Sequence, residues 1–265
     1  MRVGFLGAGR MGAPMIERLV GAGHQVQALG RTDEKRVAVA ELGATAVNSP
    51  PAIAEGADVV IVCVFTDDQV RRVCLDDGLA AALPAGSVLV LHTTGSPKTA
   101  ETVAEIAARA GAEVLDAPVS GGPHDIAAGR VTLFVGGTGT ALERALPALA
   151  SYGDPVLHVG PLGHGQKVKL VNNTLFAAQI GLLTVAVKLG GGLGLDEAAL
   201  LHALPHGSGS SRALAGVAAR GSVASFVETA GPFVRKDVAV VRQTVTALGG
   251  DLGLLDAVVT AGLAE

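Results

Sequence analysis

The chain predicts an α/β protein in two parts: a doubly wound, mostly parallel sheet with helices on both faces, then a long helix leading into an all-helical remainder. Short apolar, β-branched runs at 3–6, 25–29, 59–64, 88–91 and 113–116 alternate with helical periodicity at 14–20, 34–42 and 98–110. That rhythm belongs to parallel strands joined by crossover helices. Two further runs, at 131–135 and 156–159, extend the sheet. After Gly160 the strand pattern stops, and the chain reads as helix from about Gly163 onward, with glycine- and serine-rich breaks at 190–194 and 207–211.

The expected division therefore falls near Gly163: residues 1–162 form the sheet domain, 163–190 an inter-domain helix, and 191–265 a helical domain for substrate binding and dimerisation. The inter-domain helix is apolar on nearly all faces, which a helix tolerates only when surrounded by protein. We expect it to meet a second subunit, giving a homodimer or homotetramer. Between Lys169 and Lys188 it has no formal charge, yet it carries Asn172, Asn173, Thr174, Gln179 and Thr184. A helix buried in a bundle fits that mixture better than a membrane span.

Composition narrows the partners. A formal net charge of -4 with a pI of about 6.0 offers no basic field for nucleic acid or anionic lipid, so a small solute is the expected ligand. The two cysteines, Cys63 and Cys74, form no disulfide framework, and Cys63 lies within an apolar run. The first strand begins at once, without the regions of a signal peptide, and the expectation is a cytoplasmic protein.

Gly7-Ala8-Gly9-Arg10-Met11-Gly12 directly follows the first run and opens a helix, the context in which this glycine pattern reads a dinucleotide. Gly7 makes the tight turn, Gly9 lets backbone approach a pyrophosphate, and Gly12 lets helix pack on sheet, while free N–H groups at the helix start face the phosphates. The domain is therefore of Rossmann type. At the end of the second strand an acid would accept from the ribose 2′-hydroxyl of NAD, but Ala28-Leu29-Gly30-Arg31-Thr32 offers none. Arg31 can stack on adenine or fork onto a 2′-phosphate, with Lys35 or Arg36 adding charge, so NADP(H) is expected over NAD. Thr32 should cap the next helix, with Asp33 and Glu34 as its first-turn acids.

Three later blocks are rarer than the glycine pattern: Asp116-Ala117-Pro118-Val119-Ser120-Gly121-Gly122; Gly160-x-x-Gly163-x-Gly165-x-x-x-Lys169-x-x-Asn172-Asn173; and Lys236-Asp237. In that order they resemble the β-hydroxyacid dehydrogenase family, the 3-hydroxyisobutyrate dehydrogenase-like branch of the 6-phosphogluconate dehydrogenase superfamily, over nearly the whole chain. The resemblance implies a small carboxylate substrate held by Ser120, Gly121 and Gly122, with Lys236 near substrate or cofactor. It also brings the loops Val64-Phe65-Thr66 and His92-Thr93-Thr94 toward the nicotinamide ribose. Leu91 or His92 stands where the family has an acid, and Thr94 is the residue carried over there. Phe233 is a candidate pocket wall.

The chemistry makes sense without the family. Lys169 and Asn173 are four apart at a helix start and project from one face. A lysine whose pKa is lowered by burial can exchange the hydroxyl proton as hydride moves, and Asn173 can hold the same oxygen. The resemblance implies a reaction that interconverts a small 3-hydroxy acid and its semialdehyde, of the 3-hydroxyisobutyrate or glyoxylate/succinic semialdehyde type. Two alternatives are imine reduction on the same fold and cofactor binding without turnover. Imine reductases commonly have Asp or Tyr at the position of Lys169, and the intact Ser120, Lys169, Asn173 and Lys236 set argues against a silent binder.

No metal site is expected. His202 and His206 have helical spacing, but Pro205 interrupts the turn and no Cys or carboxylate cluster completes a site. Ser208-Gly209-Ser210-Ser211 follows no strand and lacks a nucleophile elbow. His124, close to Ser120, could line the pocket.

Overall fold

The computed structural model describes residues 1–263; the last two residues of the expected 191–265 domain lie outside the described residues. Two compact units divide the chain, Met1–Lys169 and Leu170–Glu265.

The first unit alternates strands and helices: β1 (Arg2–Leu6), α1 (Gly12–Gly21), β2 (Gln25–Leu29), α2 (Asp33–Glu41), β3 (Thr45–Val47), α3 (Pro50–Ala54), β4 (Val59–Val62) and α4 (Asp67–Arg71). A π-helical turn (Arg72–Asp76) and a 3-10 turn (Ala80–Ala82) lead to β5 (Val88–Leu91), α5 (Pro97–Arg109), β6 (Glu113–Asp116), β7 (Val119–Ser120), α6 (Pro123–Ala127), β8 (Val131–Gly136), α7 (Gly139–Leu149) and β9 (Gly153–Gly160). Every expected run becomes a strand. The run at 59–64 leaves the sheet after Val62, and β3 and β7 are strands that no run announced.

The sheet order is β3-β2-β1-β4-β5-β6-β8-β7, with β9 against β8. The six strands from β3 to β6 pair in parallel, whereas β8 runs antiparallel to β6 and β7 and parallel to β9. Both faces are covered, so successive residues of one strand enter opposite cores. Val59, Ile61, Val88 and Val90 join Met15, Ile16 and Tyr152 on one side. Val60, Val62, Leu89 and Leu91 join Val70, Val73 and Val103 on the other. The chain reverses its direction of travel across the sheet between β1 and β4. Ligands of such sheets bind in the crevice at the carboxyl ends there.

The helix α8 (His164–Gly192) begins in the first unit and continues into the second, which adds α9 (Glu197–Ala203), a 3-10 turn (Leu204–His206), α10 (Arg212–Arg220), α11 (Val223–Ala247) and α12 (Leu254–Leu263). Its core gathers Ala177 and Ile180 of α8, Leu201 of α9, Leu214 and Val217 of α10, Val234 and Val238 of α11, and Val259 of α12. The expected break at 190–194 begins later than the glycines suggest. α8 runs through Gly192, and a Cβ on Gly190 would stand 2.1 Å from Leu200 Cδ1, so this glycine serves helix packing. α8 is the one helix among the described residues long and apolar enough to cross a membrane by length and composition.

Candidate active site

The glycine loop at the end of β1 separates the three jobs expected of it. Gly7 has φ +112°, and a Cβ there would meet Cys63 O at 2.1 Å; one on Gly12 would meet Gly7 O at 2.0 Å and Phe5 Cε1 at 2.9 Å. Both positions are closed by packing. A Cβ on Gly9 would meet nothing within 4 Å. The bare backbone there opens on solvent just before α1, whose first N–H groups lack intrahelical acceptors. An approach kept clear at Gly9, beside a helix start at the switch point, fits a dinucleotide pyrophosphate. Ala8, Arg10 and Met11 complete the loop.

At the end of β2, Arg31 is exposed and pairs with Asp77 at 3.6 Å. Thr32 caps α2 by accepting from Lys35 N at 3.3 Å, as its side-chain chemistry dictates. Arg36 is turned inward along α2, ion-paired with Asp33 and donating to Gly30 O at 3.3 Å. Of the three expected cations, Arg36 is thus engaged locally.

The loops after β4 and β5 are tied together. Val64 N–H donates to Thr93 Oγ1 at 3.1 Å, and Thr93 Oγ1 donates to Val64 O at 2.9 Å. Asp67 accepts from Ser96 N at 3.1 Å and Thr99 Oγ1 at 2.6 Å. Thr66 caps α4 in a capping box with Gln69, whose carboxamide oxygen accepts from the Phe65 and Thr66 N–H groups. Thr93 is consumed by these contacts, while Thr94 stays half-buried at the loop tip.

His92 corrects an expectation. Its side chain is turned into the core of the sheet domain: it is 2% exposed, with Nδ1 2.6 Å from Ala117 O and Nε2 2.7 Å from Tyr152 Oη. Burial pushes its pKa down to about 4, so the ring is neutral and structural. The same burial raises the Tyr152 phenol.

At the end of β6, Asp116 is fully buried and caps the start of α8. Its Oδ1 accepts from Gly163 N at 2.7 Å and its Oδ2 from Gln166 N at 2.6 Å. Desolvation raises the carboxyl to about 6 against the opposing pull of those N–H bonds. A Cβ on Gly165 would lie 2.4 Å from Phe134 O and 2.5 Å from Asp116 O, which explains why the motif needs glycine where α8 abuts the sheet. Gln166, 2% exposed, accepts from Gly95 N at 2.9 Å and donates to Thr93 O at 2.8 Å. Three residues later Lys169 is buried to 9% exposure. Asn173 follows one turn on, since α8 is continuous.

The Ser120-Gly121-Gly122 loop departs from expectation in one respect. Gly122 N–H donates to Asp125 Oδ2 at 2.7 Å, closing a capping box over α6, so that donor faces its own chain. Ser120 Oγ and Gly121 N–H are left as the loop's donors. His124 is exposed and lies 3.3 Å from Asp125 Oδ1.

In the second unit, Asn173 is 7% exposed and its amide is held at both ends. Nδ2 donates to Asp237 Oδ2 at 2.9 Å, and Oδ1 accepts from Asn172 Nδ2 at 3.2 Å. Lys236 Nζ lies 3.4 Å from Asp237 Oδ1. The Lys236-Asp237 pair thus orients Asn173, and one N–H of its carboxamide remains for another acceptor. Phe233, 47% exposed, precedes Lys236 by three positions on α11.

Sequence reasoning missed Gln166 and Asp125. Gln166 stands at an unspecified position of the Gly160–Asn173 block and Asp125 lies three residues beyond the Asp116–Gly122 block, and the only signal was a polar residue where a short apolar helix face or a glycine loop was expected. Among the described residues no group of three His, Cys, Asp or Glu side chains could hold a metal ion; His202 and His206 stack edge to face at 6.1 Å.

Comparison with known proteins agrees with this geometry. Residues 2–160 match the family model for the NAD binding domain of 6-phosphogluconate dehydrogenase. Residues 163–261 match the model for the NAD-binding region of NADP-dependent 3-hydroxyisobutyrate dehydrogenase. The chain is 38% identical over 213 residues to a 3-hydroxyisobutyrate dehydrogenase of Pseudomonas aeruginosa, covering 80% of this chain and 72% of that protein. It is 36% identical over 214 residues to an NAD-dependent L-serine dehydrogenase of the same organism, with the same two coverages. A 3-hydroxyisobutyrate dehydrogenase of Mycobacterium tuberculosis, solved with L-serine, superposes with a TM-score of 0.85 at 31% identity, covering 97% of this chain and 90% of that one. With a glycine loop at the switch point, a buried lysine on the capped helix that follows the sheet, and these relatives, the chain belongs to the β-hydroxyacid dehydrogenase family of NAD(P)-dependent oxidoreductases.

Proposed function

We propose that this oxidoreductase prefers NADP(H) and interconverts a small 3-hydroxy acid with its semialdehyde, using Lys169 as the general acid/base. The observation that carries the reading is Lys169 itself, 9% exposed on a helix start that Asp116 fixes at the carboxyl edge of the sheet. The nicotinamide, when bound, supplies or accepts the hydride. Lys169 donates a proton from Nζ to the carbonyl oxygen during reduction and takes it back from the hydroxyl during oxidation. Asn173, its carboxamide turned by Asp237, donates its remaining N–H to the same oxygen and steadies the charge that develops there. Ser120 Oγ and Gly121 N–H hold the substrate's acid group. Arg31, exposed at the end of β2, takes the 2′-phosphate in exchange for its pairing with Asp77.

Two assignments about assembly and location belong to the same proposal. α8 carries an exposed apolar stripe, Val171, Leu175, Leu182, Val185 and Leu189, each more than half exposed, which suits a second copy of the chain. A light-scattering mass of one chain would sink that assignment. Free thiols at Cys63 and Cys74 suit a reducing, cytoplasmic compartment, which fractionation of cells can check.

The test follows NADPH and NADH consumption against short semialdehyde acids, glyoxylate and cyclic imines, with Lys169→Ala and Arg31→Ala beside the wild type. Turnover of a semialdehyde acid that falls by about a hundredfold or more in Lys169→Ala supports the acid/base role. A preference for NADPH that shrinks by about tenfold or more in Arg31→Ala supports the phosphate role, on the scale of one charge-assisted hydrogen bond. Imine-only turnover, or activity indifferent to Lys169, overturns the reading.

A further inference from the structure

We propose that Gln166 is a positioning residue that sets the distance between the hydride path and the proton donor, by clamping the loop after β5 to the turn of α8 that carries Lys169. The inference rests on the reading of Lys169 as acid/base. Both ends of the Gln166 carboxamide grip the same loop: Oε1 accepts from Gly95 N at 2.9 Å and Nε2 donates to Thr93 O at 2.8 Å. Between those two backbone groups lies Thr94. The residue's own N–H is held by Asp116 Oδ2 at 2.6 Å, so Gln166 sits where the end of β6, the loop after β5 and the start of α8 cross.

The clamp acts on parts that are otherwise fixed. The loop is anchored on its far side by the Thr93–Val64 bonds and by Asp67 gripping Ser96 and Thr99. The first turn of α8 is anchored by Asp116. The Gln166 side chain joins the two anchored sets, three residues before Lys169 and hence beside it along the helix. If its only duty were to satisfy two buried backbone groups, removing it would lower stability and leave the chemistry of folded enzyme untouched. A displaced helix start changes the approach of the reacting atoms instead, and an error of about 1 Å is enough to cost about a hundredfold in rate.

Gln166→Met keeps the length and loses both bonds, and Gln166→Glu tests the geometry a second way. The readouts are kcat, KM for NADPH, thermal midpoint, and the primary deuterium isotope effect on kcat measured with NADPH deuterated at the transferred position. Gln166→Met is expected to lose about 10- to 100-fold in kcat with KM for NADPH changed less than about threefold, and its isotope effect rises because hydride transfer becomes the slow step. The Gln166→Glu carboxylic acid, but not its carboxylate, presents the same acceptor and donor pair. Its rate relative to wild type therefore climbs as pH falls. Asp67, which grips the same loop, and Asp116, which holds the Gln166 N–H, are the carboxylates packed against the clamp; both are present in wild type and variant, so the variant rate is read as a ratio to wild type at each pH. A lowered thermal midpoint with wild-type kcat and isotope effect at temperatures where Gln166→Met is folded overturns the proposal, as does a pH-independent Gln166→Glu ratio. Lys169→Ala run in parallel separates the two ideas: if it is indifferent, the acid/base reading fails, and if it is inactive while Gln166→Met behaves as wild type, only the clamp fails.

Discussion

Replacing the three motif glycines by alanine, one at a time, should split stability from cofactor binding. At Gly12 the new methyl would lie 2.0 Å from Gly7 O and 2.9 Å from Phe5 Cε1, so α1 must lift from β1. Overpacking of that kind costs about 1–3 kcal/mol. At Gly7 the methyl would lie 2.1 Å from Cys63 O on a backbone of φ +112°, which adds about 1–3 kcal/mol of conformational strain to a similar packing cost. At Gly9 it meets nothing within 4 Å, and the reduced freedom of the unfolded chain makes the change neutral or stabilising by up to about 1 kcal/mol. Yet Gly9 is where backbone must approach the pyrophosphate, so Gly9→Ala should weaken NADPH binding by about tenfold or more, roughly 1.4 kcal/mol. Urea unfolding followed by circular dichroism gives the stabilities. NADPH fluorescence gives the affinities against a clean background, because the chain has no Trp and one Tyr. Wild-type affinity in Gly9→Ala would refute the assignment of the loop to the cofactor, and wild-type stability in Gly12→Ala would refute the packing argument.

Two further outcomes follow from buried or half-buried carboxylates. Asp125→Asn keeps an acceptor for Gly122 N–H and removes a negative charge beside Ser120 and Gly121; KM for a semialdehyde acid should drop by about three- to tenfold while KM for its methyl ester stays put, and an unchanged acid KM contradicts this. Asp116 is raised to about 6 from 3.8, so the folded state binds its proton more tightly: this stabilisation is full below pH 3.8 and lost as pH rises through 6. The unfolding free energy of wild type minus that of Asp116→Asn should therefore grow by about 3 kcal/mol as pH falls from 6.5 to 3.5, and parallel curves would rule the shift out. His92, depressed to about 4 from 6.5, has the opposite slope over nearly the same window. The wild type should accordingly show little pH dependence from these two groups between pH 4 and 6.

What the sequence made legible follows from how far each signal reaches along the chain. A parallel sheet buried on both faces must be written as short continuous apolar runs, so β1, β4, β5 and β6 could be read one window at a time, and β2, buried only at Val26 and Ala28, by its alternation. β3 and β7, three and two residues long, are strands only because β2 and β8 are beside them, and a window sees no neighbour. The glycine loop is equally local: turn, approach and helix contact all fall within six residues. Gln166 is the opposite case, since its partners Gly95 and Thr93 are 71 and 73 positions away and its meaning exists only after the sheet has closed. His92 is more instructive, because its orientation could have been worked out. Successive strand residues face opposite sides. Leu89 and Leu91 enter the core beside Val103, whereas Val88 and Val90 enter the one beside Tyr152. Continuing that alternation by one residue turns His92 to the side of Val90, toward Tyr152, where its ring is found.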